Sequence, residues 1–344
     1  MSIVTFIQNF IIIADRNLIS ATKVVVTRIN MHILYSGIRI LTAGLVLSFV
    51  SCQGGNTVTQ ETPTRGNIKI LSDESFQPLI DTEVFTFTHL YNNAKIKVAY
   101  KPEFDIINDF MNDSVKVIVT SRKLSDDQIQ YLRDTLVVAR TTTFAYDALA
   151  LVINKENKDS LFTFKSVKDI FLGNAVKWKE LDPRSKLGDI NVIFDNTKSG
   201  NIRYFREKFK LPQQLASNFY AVNSNPEVID YVSKSPGALG IVSVNWISDK
   251  EDSLSISFTK KIKVAAVSLP YLDNDLFYMP VQGSIYDKTY PFVREVNICS
   301  RESFTGLGSG FVSFVSGEKG QRIILKSGLV PATMPIRIIQ VKNE

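Results

Sequence analysis

The sequence predicts an α/β protein built as two lobes. Strand-like and helix-like segments alternate from residue 68 to 135, then again from 148 to 243. A last strand-like run at 290–300 leads into C-terminal helices. A chain that completes one such unit, builds a second and then returns divides into residues 67–145 plus 286–344 and residues 146–285. No repeat with a period of about 20–50 residues is evident, so a solenoid is not expected.

In the first cycle, 68–71 is a short strand that ends in Ser72-Asp73-Glu74-Ser75 and precedes a helix-like stretch, 76–91. Residues 95–100 alternate as a strand and 103–112 are helical. The continuous apolar run 115–120 reads as a buried strand. Ser125-Asp126-Asp127 opens a helix to 135 with good N-terminal residues. This β-α-β-α-β order implies a parallel sheet with helices on both faces.

In the second cycle, 148–154 and 190–194 are strands around a short helix at 166–171. Helix 199–209 carries Ile202, Phe205 and Phe209 on one face. Helix 226–233 and strand 238–243 follow. Helices at 311–317 and 319–326 close the chain, with Phe311, Phe314 and Val315 as an apolar stripe.

With 344 residues, 44% hydrophobic and 22% charged, the chain has material for a large core, which excludes bulk disorder. No segment after Cys52 approaches the roughly 20 apolar residues of a membrane-spanning helix. The histidines are His32 and His89, and the cysteines Cys52 and Cys299. Two cysteines exclude a disulfide scaffold. A His/Cys zinc cage needs about four ligands, so neither a metal nor a cofactor is expected. A Ser-His-Asp triad would have to use His89, which sits beside Phe87 and Leu90 and reads as structural. Cys299 reads as a buried, inert thiol. The net charge of +6 is spread without a Lys/Arg block. That suits anionic ligands or surfaces better than the clustered footprint of nucleic-acid binding.

Residues 31–52 have the layout of a secretory signal: Arg39, an apolar run at 40–50, then Ser51-Cys52. A cysteine directly after a small residue resembles the bacterial lipoprotein signal, in which the thiol is acylated, although Phe49 stands where that signal prefers Leu. The alternative is an uncleaved anchor. Both tether the body to a membrane outside the cytoplasm, in the periplasm or cell envelope. Residues 1–30 precede this signal, either as an overrun ahead of Met31 or as a genuine extension. Residues 53–66 are polar and Gly/Thr-rich, a flexible tether.

Three strand-to-helix junctions carry similar chemistry: Ser72-Asp73-Glu74-Ser75, Thr120-Ser121-Arg122, and Asp195-Asn196-Thr197-Lys198-Ser199-Gly200-Asn201. Each sets hydroxyls and backbone N–H groups at or near a helix start, where unsatisfied donors and the helix dipole favour an oxyanion. Gly200, without a Cβ, lets a ligand approach the backbone. A lone Ser at such a position is usually a cap. The expectation rests on three junctions and on Arg122 facing one crevice, with Thr143, Asp147 and Ala148 near the lobe crossing.

On these residues the chain resembles the PstS-like phosphate-binding proteins, the periplasmic solute-binding components of ABC transporters. Ser199-Gly200 with Phe205 is similar to that family's Ser-Gly-Thr loop. Ser121-Arg122-Lys123-Leu124, Tyr146-Asp147-Ala148, Ser235-Pro236-Gly237-Ala238 and Tyr290-Pro291-Phe292-Val293-Arg294 resemble its other segments in order, from about residue 67 to 335. The resemblance implies a bilobed periplasmic-binding-protein type II fold, with mixed sheets joined by two crossover segments. It also implies phosphate as ligand, a permease of the inner membrane as partner, and no catalysis. Implied ligand residues are Ser72, Ser75, Ser121, Arg122, Thr143, Asp195, Ser199, Gly200 and Asn201, with lipid attachment at Cys52.

The departures bear on the anion. Asn201 stands for the family's Thr, Asp195 for its Arg four residues before the Ser, and Thr197 for its Asp. Arg122 is the expected replacement cation, through forked contacts. Asp195 would repel a dianion unless paired or protonated. The ligand is therefore phosphate, another oxyanion or a small carboxylate. Alternatively an Arg122–Asp195 or Arg122–Glu74 pair locks an empty cleft. An envelope sensor that lost its ligand, and a phosphate-ester hydrolase, are the competing functions; the hydrolase lacks a nucleophile–base pair.

Overall fold

The alternating segments fold as a mixed sheet flanked by helices. The computed structural model describes residues 61–271 and 276–335. Cys52 and the expected leader and N-terminal extension, with most of the expected tether, lie outside the described residues. Strand β1 (Gly66–Asp73) passes through a 3-10 turn, Glu74–Phe76, into helix α1 (Gln77–Leu90). Strand β2 (Ala94–Lys101) leads to α2 (Glu103–Met111), and β3 (Val117–Thr120) to α3 (Asp126–Asp134). Pro78 lies in the first turn of α1, where its missing N–H costs nothing. Ser125 and Gln128 form a capping box at α3. All four residues of β3 are buried, as a strand covered on both faces requires.

The chain continues through β4 (Arg140–Asn154), β5 (Leu161–Phe162), α4 (Phe164–Leu172), β6 (Asn191–Phe194) and α5 (Gly200–Phe209). Then come β7 (Phe219–Ala221), α6 (Asn225–Lys234), β8 (Ala238–Ser243) and α7 (Ser253–Thr259). The short pieces β9 (Ile262–Val264), β10 (Ala266–Ser268), β11 (Phe277–Tyr278) and α8 (Gln282–Tyr286) precede β12 (Val293–Ser300). Helices α9 (Leu307–Ser316) and α10 (Glu318–Lys326) and the two-residue β13 (Val330–Pro331) end the described chain.

The main sheet runs β2-β1-β3-β12-β4-β8-β6-β7, with β9 and β13 also on β4. β1 pairs in parallel with β2 and β3, and β6 in parallel with β7 and β8. The parallel order expected from the first cycle is therefore present, and in the second unit β4 is antiparallel to β8 and β9. β12 is antiparallel to both β3 and β4, however, so the sheet is mixed. Residues 140–148 of β4 pair with β12, and residues 149–153 pair with β8. One long strand thus belongs to both lobes of a bilobed periplasmic-binding-protein fold. It begins eight residues before the expected 148, because Arg140, Thr141 and Thr142 carry no apolar signal and are ordered by the ladder to β12.

Helix α5 buries Ile202, Phe205 and Phe209, as its periodicity predicts. Phe205 packs on Phe171 at 4.3 Å between ring centroids and on Phe292 at 5.0 Å. Burying each such ring contributes roughly 1.5–3 kcal/mol. Cys299 is buried in a smaller cluster with Leu71, Phe110 and Ile118. His89 departs from expectation: it is exposed on the outer side of α1, with its ring on Phe85 and Nδ1 2.7 Å from the Phe85 carbonyl.

Candidate oxyanion site

The Glu74–Phe76 turn and the start of α5 meet the loop after β3 where the lobes touch, while the start of α3 itself is exposed. At the first, Asp73 caps the 3-10 turn, its Oδ1 accepting from Ser75 N at 2.9 Å. Its Oδ2 accepts from Gly200 N at 3.3 Å, across the interlobe boundary. Ser75 Oγ donates to Asn201 Oδ1 at 3.0 Å, and Ser72 Oγ donates to the Asp73 carbonyl at 3.0 Å. At the third junction Ser199 is the N-cap of α5, its hydroxyl donating to Asp195 Oδ1 at 2.7 Å. A Cβ on Gly200 would lie 2.5 Å from Ser121 Oγ and 2.8 Å from Asp73 Oδ2. Only glycine permits that approach.

The second junction is held by a residue that the sequence does not single out. Ser121 N and Oγ donate to Glu103 Oε2 at 2.8 and 2.6 Å. Arg203 on α5 donates through Nε to Glu103 Oε1 at 2.5 Å and through Nη2 to Ser121 Oγ at 2.9 Å. Its Nη1 donates to Glu207 at 2.7 Å. Burial opposes the Glu103 charge, but the Arg203 guanidinium and the Ser121 hydrogen bonds hold its carboxyl below the usual range.

Two expectations need correction. Arg122 makes no hydrogen bond to the other candidates among the described residues: half-buried, it donates from Nη1 to the Lys123 carbonyl at 2.9 Å and to Gln128 Oε1 at 3.1 Å, while the charges of Glu103 and Arg203 act on it. The capping box at α3 has drawn the guanidinium onto its own segment. No Arg122–Asp195 or Arg122–Glu74 ion pair forms among the described residues; the ion pairs that cross the expected lobe division there are Arg203–Glu103, Lys198–Asp105, Arg294–Asp147 and Lys326–Glu251. Thr143 donates to Asn297 Oδ1 at 2.7 Å and makes no hydrogen bond to the other candidates among the described residues. Ser72, Ser75, Ser121, Asp195, Ser199, Gly200 and Asn201 do come together.

Further buried groups complete the cluster. Glu74 accepts from Asn225 Nδ2 at 2.6 Å, and Asn245 Nδ2 donates to the Ser75 carbonyl at 3.1 Å. Arg294 on β12 donates from Nε to Asp147 Oδ2 at 2.9 Å, and Ser243 Oγ donates to the same oxygen at 2.9 Å. Burial, then the nearby charge of Asp73, pushes the Asp195 carboxyl up to about 7. Burial pushes Glu74 up to about 8. Asp73 is also raised, by burial and by the charge of Glu103. The helix-start donors are thus engaged by the chain's own carboxyls, and protons offset part of the negative charge. Among the described residues no three His, Cys, Asp or Glu side chains gather to hold a metal ion.

This architecture, two α/β lobes closing on helix starts, has relatives. The PBP superfamily domain matches residues 57–319, well over half of the chain. The chain belongs to the PBP superfamily. Among PBP relatives, the phosphate-binding protein PstS of Borreliella burgdorferi is 24% identical over 276 residues, covering 77% of this chain and 90% of that protein. PstS of Staphylococcus aureus is 22% identical over 283 residues, covering 81% and 82%. Among solved PBP structures, a phosphate ABC transporter substrate-binding protein from Clostridium perfringens with bound phosphate superposes with a TM-score of 0.66 at 21% identity, covering 78% of this chain and 100% of that one. An ABC-type phosphate transport receptor from Vibrio cholerae gives 0.59 at 20% identity, covering 77% and 100%.

Proposed function

We propose that this chain is an extracytoplasmic solute-binding protein that captures inorganic phosphate between its lobes and presents it to an ABC permease of the inner membrane. The observation that carries this reading is the convergence of the Asp73–Ser75 turn, the start of α5 and the buried Ser121 of the loop after β3, with Gly200 N, Ser75 N, Ser121 N and the Ser199 hydroxyl as donors. Such donors favour an oxyanion, which would take or share the places now held by the Asp73, Glu103 and Asp195 carboxyls. The PstS relatives, matched over most of their length, support phosphate as the anion. Ser72, Ser75, Ser121, Ser199, Gly200 and Asn201 line the site in this reading, and the lobes divide near residues 145 and 285. Binding then works by closure, and no bond is broken.

The same reading tethers the body through an acylated Cys52. Among the described residues no helix is long and apolar enough to cross a membrane. Cys52→Ser is expected to release the protein from the membrane fraction; retention there rules the lipid anchor out.

A second reading has its own support. Asp73 on Gly200 N and the Arg203–Glu103 pair already fill the donor set, as in an envelope sensor or structural lipoprotein that has lost its ligand. Thermal denaturation of the full chain with phosphate, sulfate and acetate separates the two. A ligand that binds only the folded state at about 100 times its Kd adds about 2.7 kcal/mol of stability. A rise in Tm with phosphate supports capture; no rise with any anion supports the sensor.

A further inference from the structure

We infer that Arg294 is the cation that holds the anion, standing in for the arginine that the loop before Ser199 lacks. The inference rests on the reading of the cleft as an oxyanion site and names the residue that supplies its charge. Arg294 is 4% exposed, and its guanidinium spends only Nε, on Asp147. Nη1 and Nη2 are both buried and have no hydrogen-bond partner among the described residues. Buried charged donors left unmade are expensive and are rarely retained without a role. Oδ1 of Asp147 is likewise unpartnered among the described residues, so the pair does not satisfy itself as a closed structural ion pair would.

The surroundings fix which ligand these nitrogens suit. The guanidinium lies 5.0 Å over the ring of Phe76, the residue after Ser75, so it flanks the first junction. Its charge acts on Asp73 and on Asp195, the carboxyls of the first and third junctions. Hydrogen bonds link it to the third junction, from Asp147 through Ser243 and Asn225 to Asn201. Of the other two arginines near the junctions, Arg203 spends all three nitrogens on Glu103, Glu207 and Ser121, and Arg122, only half-buried, commits Nη1 to the Lys123 carbonyl and Gln128. With Nε fixed by Asp147, the two Nη groups present a planar fork that matches two oxygens of a tetrahedral oxyanion. Asp147 is then a positioning residue that holds the fork.

Isothermal titration of the full chain with inorganic phosphate tests this. Arg294→Gln is expected to weaken binding by about 100-fold or more, and Arg294→Lys, which keeps the charge without the fork, by about 10-fold. Arg122→Gln should bind within about twofold of the wild type. Wild-type binding retained in Arg294→Gln overturns the inference and leaves phosphate capture standing. No phosphate binding by the wild type overturns both. Because removing Arg294 leaves Asp147 buried and unpaired, Arg294→Gln is also made with Asp147→Asn. A wild-type crystal structure with phosphate provides a readout independent of folding: a phosphate oxygen about 3 Å from Arg294 Nη1 or Nη2 is expected, and a phosphate bound away from both nitrogens overturns the inference.

Discussion

The Asp73 carboxylate of one lobe accepts the Gly200 backbone N–H at the start of a helix in the other, at 3.3 Å. It occupies the position that favours an external anion, because the first amides of α5 are otherwise unsatisfied there. An entering oxyanion must displace this carboxylate or share the amide with it. Asp73→Ser keeps a small hydrogen-bonding side chain and removes the competing charge. It is expected to raise phosphate affinity about 10-fold, a change of about 1.4 kcal/mol, read by calorimetry. Unchanged or weaker binding means that Asp73 contributes to the ligand's hydrogen bonds instead.

Gly200→Ala places a methyl where Ser121 Oγ, Asp73 Oδ2 and Glu103 Oε2 stand, at 2.5, 2.8 and 3.0 Å. The lobes then cannot keep this contact without displacing those three buried side chains. The expected cost is about 1–3 kcal/mol. Urea denaturation should show that loss, and small-angle scattering a larger radius of gyration. A variant as compact and stable as the wild type contradicts the tight approach.

Stability should fall from acid toward alkaline pH. Asp195 moves from 3.8 up to about 7 and Glu74 from 4.5 up to about 8 on folding. In that window the folded state holds protons that the unfolded state has released, so rising pH favours unfolding. The loss begins near pH 4 and continues through pH 8, where Glu74 is half deprotonated in the folded state. Urea midpoints measured across that range should decline, and the Asp195→Asn/Glu74→Gln variant should flatten the decline. A rising profile over the same range contradicts the assignment.

Glu83 on α1 is fully buried, and neither carboxyl oxygen has a hydrogen-bond partner among the described residues. Burial pushes its carboxyl up to about 9, so it is protonated at neutral pH. Glu83→Leu should stabilise the fold by about 1–2 kcal/mol, since an unsatisfied buried polar group is replaced by an apolar one. Lower stability in that variant would reveal a partner for the carboxyl.

The junctions were legible because their signals are local. Ser199, Gly200 and the stripe Ile202, Phe205, Phe209 announce a capped helix within a few residues, and Ser75 sits beside an equally local turn. The ion pairs were not legible. Glu103 and Arg203 each look like ordinary charges on exposed helix faces, and they meet across a separation of 100 residues. Arg122 was misread for the converse reason: a nearby Gln at the capping box outcompetes a distant cleft. Arg294 stood only as part of a strand, since nothing in its neighbours announces that Asp147 waits beside it. The small strands β5, β10 and β11 have two or three residues each, too few for any periodic pattern.

The partner switch along β4, between Ala148 on β12 and Leu149 on β8, has a mechanical consequence. β4 runs unbroken from one lobe into the other and the chain crosses back near residue 285, so parting the lobes bends two connections, one of them where the neighbours of β4 change. The pivot therefore lies one residue from Asp147, whose carboxylate grips Arg294. A small rotation there would carry the guanidinium along with it, so the swing of the jaws and the aim of the charge are one motion.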